Sequence, residues 1–269
     1  MLSKSKLHYL KSLSQKKGRD KEGAFFIEGW RNVEEATGEP GGIEILLATK
    51  EAREETHYSS LFTAAANHSR EQIEVSAKEF GQIADTVTGQ GIAAVVKKFK
   101  REIDSEIRRL SKKENAFAIG VDHIADPGNL GVIIRSADWF GVDTVILSPG
   151  SVDLYNPKVV RSTAGSIFHL PIVSCTEAAG SFERALKELR SGGFKLFGAS
   201  VNGKADLRTV KWPKKSFLII GSEARGISGD VAALLDENIA IPKFGKAESL
   251  NAGVAAGIFL SHASFQIQK

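Results

Sequence analysis

Short apolar runs alternate with amphipathic stretches over residues 1–96. AFFI at Ala24–Ile27, IEILLA at Ile43–Ala48 and GIAAVV at Gly91–Val96 each read as a strand, while Gly29–Thr37 and Tyr58–Asn67 read as helices. That alternation predicts a small α/β domain. Residues 97–115 carry many charges and few large apolar side chains, which reads as a linker or a connecting helix. From Asn115 the pattern changes scale. Strands are predicted over Phe117–Val121, Thr144–Leu147, Pro171–Val173, Lys195–Ala199, Phe217–Ile220 and Ile239–Ile241, with helical stretches between them. One such helix is Leu130–Phe140, and Gly141 stands where a helix C-cap is expected. Repeated strand–helix–strand units predict an α/β fold with a mostly parallel sheet covered on both faces. The expected division is a first domain over 1–100, a charged linker over 101–114 and a second domain over 115–269. Ligands on such sheets bind at the carboxyl ends of strands, so the loops after 121, 147, 199, 220 and 241 are where chemistry is expected.

Composition narrows the class. The chain has 269 residues, 42% of them hydrophobic and 25% charged, which suits a protein able to bury a core. A single cysteine, Cys175, excludes an internal disulfide framework and any cysteine-cluster metal site. The N-terminus is basic and has no apolar signal-peptide core, so a cytoplasmic location is expected. Net charge is only +4, but residues 1–22 hold seven Lys and Arg against two acids. Residues 97–113, KKFKREIDSEIRRLSKK, are again basic. Such an arm suits a polyanion such as RNA, and a solvated surface reads equally well from charge alone.

Three loops carry the candidate chemistry. In DHIADPGNLGVIIRSADWFG, Pro127 and Gly128 make a turn and Asn129 is placed to cap the helix. At about 100° per residue, Leu130, Ile133, Ile134 and Ala137 share a face, and Arg135 lies off it. Val132 and Trp139 lie roughly opposite, so the helix is apolar on two sides and a partner subunit is one candidate for the second. After Phe217–Ile220 comes GSEARGIS, a small-residue turn that lets a ligand approach the backbone, with Glu223 at its edge. It is neither the GxGxxG fingerprint nor a P-loop. After Ile239–Ile241 comes PKFGKAESLN, leading into the small-residue helix SLNAGVAAGIFLSH. Ser249 is placed to cap that helix, and Gly253 and Gly257 let another backbone come close. Asn251 is expected to be a buried amide that needs partners from a ligand or a site network.

The segments NLGVIIRSADWFG, GSEARGI and IPKFGKAESLNAGVAA, in that order, resemble the three motifs of the SpoU (TrmH-like) RNA 2′-O-ribose methyltransferases of the SPOUT superfamily. RSTAGSIFHLPI at 161–172 resembles the family's linking region, and KLHYLKSLSQKK with AFFIEGWRNVEEA resembles the substrate-binding domain that many members carry. Lys243 departs from the methionine more usual after Ile-Pro. The resemblance implies an S-adenosylmethionine-dependent enzyme whose C-terminal segment threads a trefoil knot, which sheet topology alone would not suggest. It implies Asn129, Arg135, Glu223, Ser249 and Asn251 as catalytic residues. Ser200, Gly221, Ile241 and Leu250 would hold the cofactor, with no metal. It implies an RNA substrate, ribosomal rather than transfer RNA, and a homodimer through helices 130–140 and 250–262. Methylation of transfer RNA, base methylation, a non-catalytic RNA-binding or ribosome-assembly role on the same fold, and a nucleotide-dependent oxidoreductase stand as alternatives.

Overall fold

The computed structural model describes residues 2–39, 41–84, 89–175 and 180–267, and the chain packs into two compact units. The first unit takes residues 1–99 together with Asp153–Phe168. Its chain begins with α1 (Lys4–Ser12), where Ser3 accepts a hydrogen bond from the Lys6 N–H, and α2 (Lys16–Glu22). There follow β1 (Ala24–Glu28), α3 (Trp30–Thr37), β2 (Ile43–Ala48), α4 (Lys50–Glu54), α5 (Ser59–Asn67), β3 (Ser69–Glu74), α6 (Ala77–Phe80) and β4 (Ile92–Lys97). The sheet order is β1-β4-β2-β3, antiparallel except for β2 with β3. Leu10 and Leu13 from the basic arm bury against Phe26, Leu47 and Val95, so the arm is part of the unit's core.

The second unit opens with α7 (Ile103–Lys112), β5 (Ala116–Asp122), α8 (Pro127–Trp139) and β6 (Thr144–Leu147). The chain then supplies Asp153–Phe168, with α9 (Pro157–Thr163), to the first unit. There Phe25 meets the rings of Phe99, Tyr155 and Phe168 at centroid distances of 5.9, 4.8 and 6.3 Å. The buried Arg19 guanidinium donates to Asp153 Oδ2 and to the carbonyls of Leu13 and Ser14. The second unit resumes with β7 (Ile172–Ser174), α10 (Ser181–Ser191), β8 (Lys195–Ala199), β9 (Ala205–Asp206), β10 (Lys215–Gly221), α11 (Gly229–Ala232), β11 (Glu237–Ala240) and α12 (Ala252–Ile267).

Its seven strands run in the order β7-β6-β5-β10-β8-β11-β9, every pairing parallel. β5 and β10 are buried almost throughout, as strands covered on both faces must be. On one face Ala118, Phe217 and Ile219 pack with Ile107, Leu110, Leu186 and Leu189. On the other, α12 packs across α8, and a Cβ on Gly253 would meet Val132 Cγ1 at 2.8 Å. Gly253 is therefore small because α8 crosses there.

Two boundaries differ from the sequence reading. The charged stretch 101–114 holds α7, the connecting helix of the two sequence readings, but it belongs to the second unit, where Ile107 and Leu110 join the core. Residues 153–168 side with the first unit, because Tyr155 and Phe168 find their apolar partner in Phe25.

Candidate active site

α8 starts at a carboxylate. Asp126 is its N-cap and accepts from the Asn129 N–H at 2.8 Å, with Pro127 in the first turn. Asn129 is therefore the third helical residue and not the cap expected from sequence. Since Asp126 satisfies the exposed N–H, the Asn129 side chain is left for other work. Its Nδ2 donates to Glu223 Oε1, and its Oδ1 accepts from Asn251 Nδ2 at 2.8 Å. Asn251 in turn caps α12, its Oδ1 accepting from the N–H groups of Gly253 and Val254 at 3.0 and 3.2 Å. The ends of this chain set its polarity. A carboxylate can only accept and helix N–H groups can only donate, so both amides must face the way they do.

Asn251 is thus exposed at the mouth of α12, not buried within its first turn, and the cap is Asn251 and not Ser249. An asparagine oxygen directly before the helix reaches two N–H groups, which a serine two residues earlier does not. Ser249 is exposed and lines a cleft of about 1170 Å³ together with Ser200, Gly221, Glu223, Ile241 and Leu250. All four expected cofactor residues therefore share one cavity.

Glycine is required at Gly221. A Cβ there would meet the Gly226 carbonyl carbon at 2.2 Å, because the turn folds straight back on the strand. Ser222 N–H donates to Gly226 O at 3.1 Å, Gly226 N–H donates to Ser222 O at 2.8 Å, and Gly226 holds φ +67°. Glu223 rides at the tip of this closed turn. On the other wall, Ser200 accepts from the Asn202 N–H at 3.2 Å. Leu250 keeps 45% of its surface exposed, an apolar side chain left open for a ligand to cover.

Arg135 stands elsewhere. It is exposed on α8 between Val132 and Trp139, its guanidinium makes no hydrogen bond or ion pair among the described residues, and it does not line the cleft. Sequence reasoning missed Asp122. Its carboxylate is 1% exposed at the carboxyl end of β5, where Oδ2 accepts from the Ser228 N–H at 2.7 Å and ties down the far end of the Glu223 turn. An acid closing the apolar run AFAIGVD was the signal available.

Comparison with known proteins points one way. The sequence model of the SpoU rRNA methylase family matches residues 116–261, and that of the MRM3-like substrate binding domain matches residues 4–94. The 23S rRNA (guanosine(2553)-2′-O)-methyltransferase RlmP of Bacillus subtilis is 34% identical over 252 residues, covering 94% of this chain and 93% of that protein. The crystal structure of the SpoU methyltransferase AviRb from Streptomyces viridochromogenes, in complex with AdoMet, superposes with a TM-score of 0.86 at 28% identity, covering 98% of both chains. The AdoMet-bound rRNA methyltransferase from Sinorhizobium meliloti gives 0.83 at 26% identity, covering 98% of this chain and 96% of the other.

Proposed function

The chain belongs to the SpoU rRNA methylase family, and from that premise we propose that it methylates a ribose 2′-hydroxyl of ribosomal RNA, using S-adenosylmethionine. The observation that carries the reading is the chain Glu223–Asn129–Asn251, which joins three separate sequence motifs beside one cleft. The cleft fits the cofactor. It has the size of a small-molecule site, an apolar side chain open at Leu250, and backbone brought close at Gly221. Bound there by Ser200, Gly221, Ile241 and Leu250, S-adenosylmethionine supplies a methyl group activated by its sulfonium sulfur.

The protein's task is to place the ribose hydroxyl and to help its proton leave. Asn129 orients the ribose, Glu223 holds Asn129 in register, and Ser249 and Asn251 supply hydrogen bonds beside it. A literal general-base role is costly for arginine, so Arg135 acts best as a bidentate grip on the neighbouring phosphate, with that phosphate or a transiently neutral guanidine taking up the proton. Arg135 shares an exposed face with Val132 and Trp139, while α12 presents Val254, Ile258 and Phe265. That apolar surface supports a homodimer through α8 and α12, which puts Arg135 at the seam. The threading of the C-terminal segment into a trefoil knot belongs to the same proposal and rests on the family match. The first unit and its basic arm select the RNA by shape and phosphate contacts in this reading. Among the described residues no helix is long and apolar enough to cross a membrane, and a cytoplasmic site of action completes the proposal.

The test is tritium transfer from labelled S-adenosylmethionine to RNA that lacks the modification, fractionated into ribosomal and transfer RNA and digested to nucleosides. Label in a 2′-O-methylated nucleoside of ribosomal RNA is expected. Label in transfer RNA or in a base overturns the substrate assignment. Arg135→Ala is expected to abolish transfer while sparing cofactor binding, and retained turnover removes Arg135 from the mechanism.

A further inference from the structure

At the carboxyl end of β5 the backbone does something costly. His123 holds φ +56°, and only one other non-glycine residue among those described, Ala164, has a positive φ. Histidine tolerates this region better than most residues, but the strain persists only where the surroundings over-determine it, most often at functional positions.

The surroundings do so here. The buried Asp122 carboxylate accepts the His123 Nδ1–H at 2.7 Å through Oδ1, while its Oδ2 accepts the Ser228 N–H. The His123 N–H donates to Ser148 Oγ at 3.0 Å. Gly150 leaves room for the ring, since a Cβ there would meet the imidazole Cδ2 at 2.9 Å. With both carboxylate oxygens acting as acceptors, Nδ1 carries a proton, and in the neutral imidazole Nε2, beside Gly150, is left as the acceptor. The side chain remains 55% exposed. A strained, oriented and open imidazole at the carboxyl edge of a parallel sheet is what a ligand contact requires. Asp122 pairs in register with Gly221, which lines the cleft, and it also pins the turn that bears Glu223.

We propose that His123 is an RNA-contacting residue, its Nε2 accepting a hydrogen bond from a donor on the substrate strand near the target nucleotide, and that Asp122 is its positioning residue. The neutral ring only accepts at Nε2 and phosphates offer no donor, so its partner is a ribose 2′-hydroxyl or an exocyclic amine. The inference rests on the RNA methyltransferase reading for its ligand.

The experiment compares wild type, His123→Gly and Asp122→Asn on unmodified large-subunit ribosomal RNA. It measures kcat, KM for RNA, direct RNA affinity, S-adenosylmethionine affinity and the thermal midpoint. Glycine relieves the positive φ but takes the donor from the buried Asp122 Oδ1, so the thermal midpoint serves as the control on folding. Its KM and Kd for RNA should rise roughly tenfold, the weight of one hydrogen bond, with kcat and cofactor affinity little changed. Asparagine at 122 still accepts from Ser228 but presents an N–H to Nδ1, which moves the ring proton to Nε2. Asp122→Asn should therefore weaken RNA by a similar factor while the cofactor still binds. Wild-type RNA affinity in His123→Gly, or a drop in its thermal midpoint alone, overturns the proposal and makes the imidazole a structural partner of Asp122. A wild type that binds RNA without methylating it sinks the enzymatic reading only, since the direct affinities still judge His123. Single 2′-deoxy substitutions near the target identify the donor. A substitution that costs wild type but not His123→Gly assigns it to a ribose hydroxyl, and additivity at every position assigns it to an exocyclic amine.

Discussion

At the scale of single residues, the site depends on acceptor and donor order. Glu223 is the acceptor-only end of its hydrogen-bond chain, so Glu223→Ala leaves the Asn129 amide free to turn. Methyl transfer is expected to fall on the order of 10²-fold, the scale seen when one positioned hydrogen-bonding group is lost, with far less change in cofactor affinity by calorimetry. A second residue responds to acid. His262 Nδ1 accepts from Trp212 Nε1 at 2.9 Å, which needs an unprotonated nitrogen. Burial, then the nearby Lys211 charge, holds this imidazole below its ordinary value of 6.5. The unfolded chain therefore binds the proton more readily than the folded one. The contribution is complete above about 6.5 and is lost as pH falls from there through the lowered folded value. The thermal midpoint should drop between neutral and mildly acid pH, and His262→Gln should shrink that drop in a melting series.

At the scale of elements, close packing of α8 and α12 is the sensitive point. Gly253→Val drives a branched side chain into Val132, and overpacking of this kind costs about 1–3 kcal/mol, measurable by urea denaturation. Leu110→Ala should cost about 2–5 kcal/mol, because α7 packs inside the second unit; an unchanged midpoint would return 101–114 to the status of a linker. These elements also mark how far the sequence could be read. Buried strands were legible from continuous apolar runs, Thr144–Leu147 and Lys195–Ala199 to the residue. β3, SREQIE, was not, because an edge strand with one large apolar side chain has no periodic signal. For 101–114 the charges left linker and connecting helix both open, and the helical spacing of Ile103, Ile107 and Leu110 is what chooses the helix. The resemblance named Ser200, Gly221, Ile241 and Leu250, which line one cleft, and named Asn129 and Glu223 singly, without their bond to each other. Which amide capped which helix was hidden, since Asp126, Asn129, Ser249 and Asn251 are all competent caps in sequence and only the backbone path chooses between them.

At the scale of the whole molecule, the exposed apolar residues make a prediction about assembly. Trp139 and Phe265 expose 84% and 69% of their surfaces, and with Val132, Val254 and Ile258 they leave several apolar side chains open on the same two helices. If α8 and α12 form the seam, Phe265→Glu should turn a dimer into a monomer by sedimentation velocity and lower methyl transfer with it. A wild type that sediments as a monomer would sink the seam.

The return of residues 153–168 to the first unit has a consequence for synthesis on the ribosome. Phe25 has been translated long before Tyr155 and Phe168 exist, and Arg19 waits more than a hundred residues for Asp153. The amino-terminal fold therefore cannot close in simple vectorial order. Part of its interior stays open to chaperones while most of the parallel sheet is still unmade.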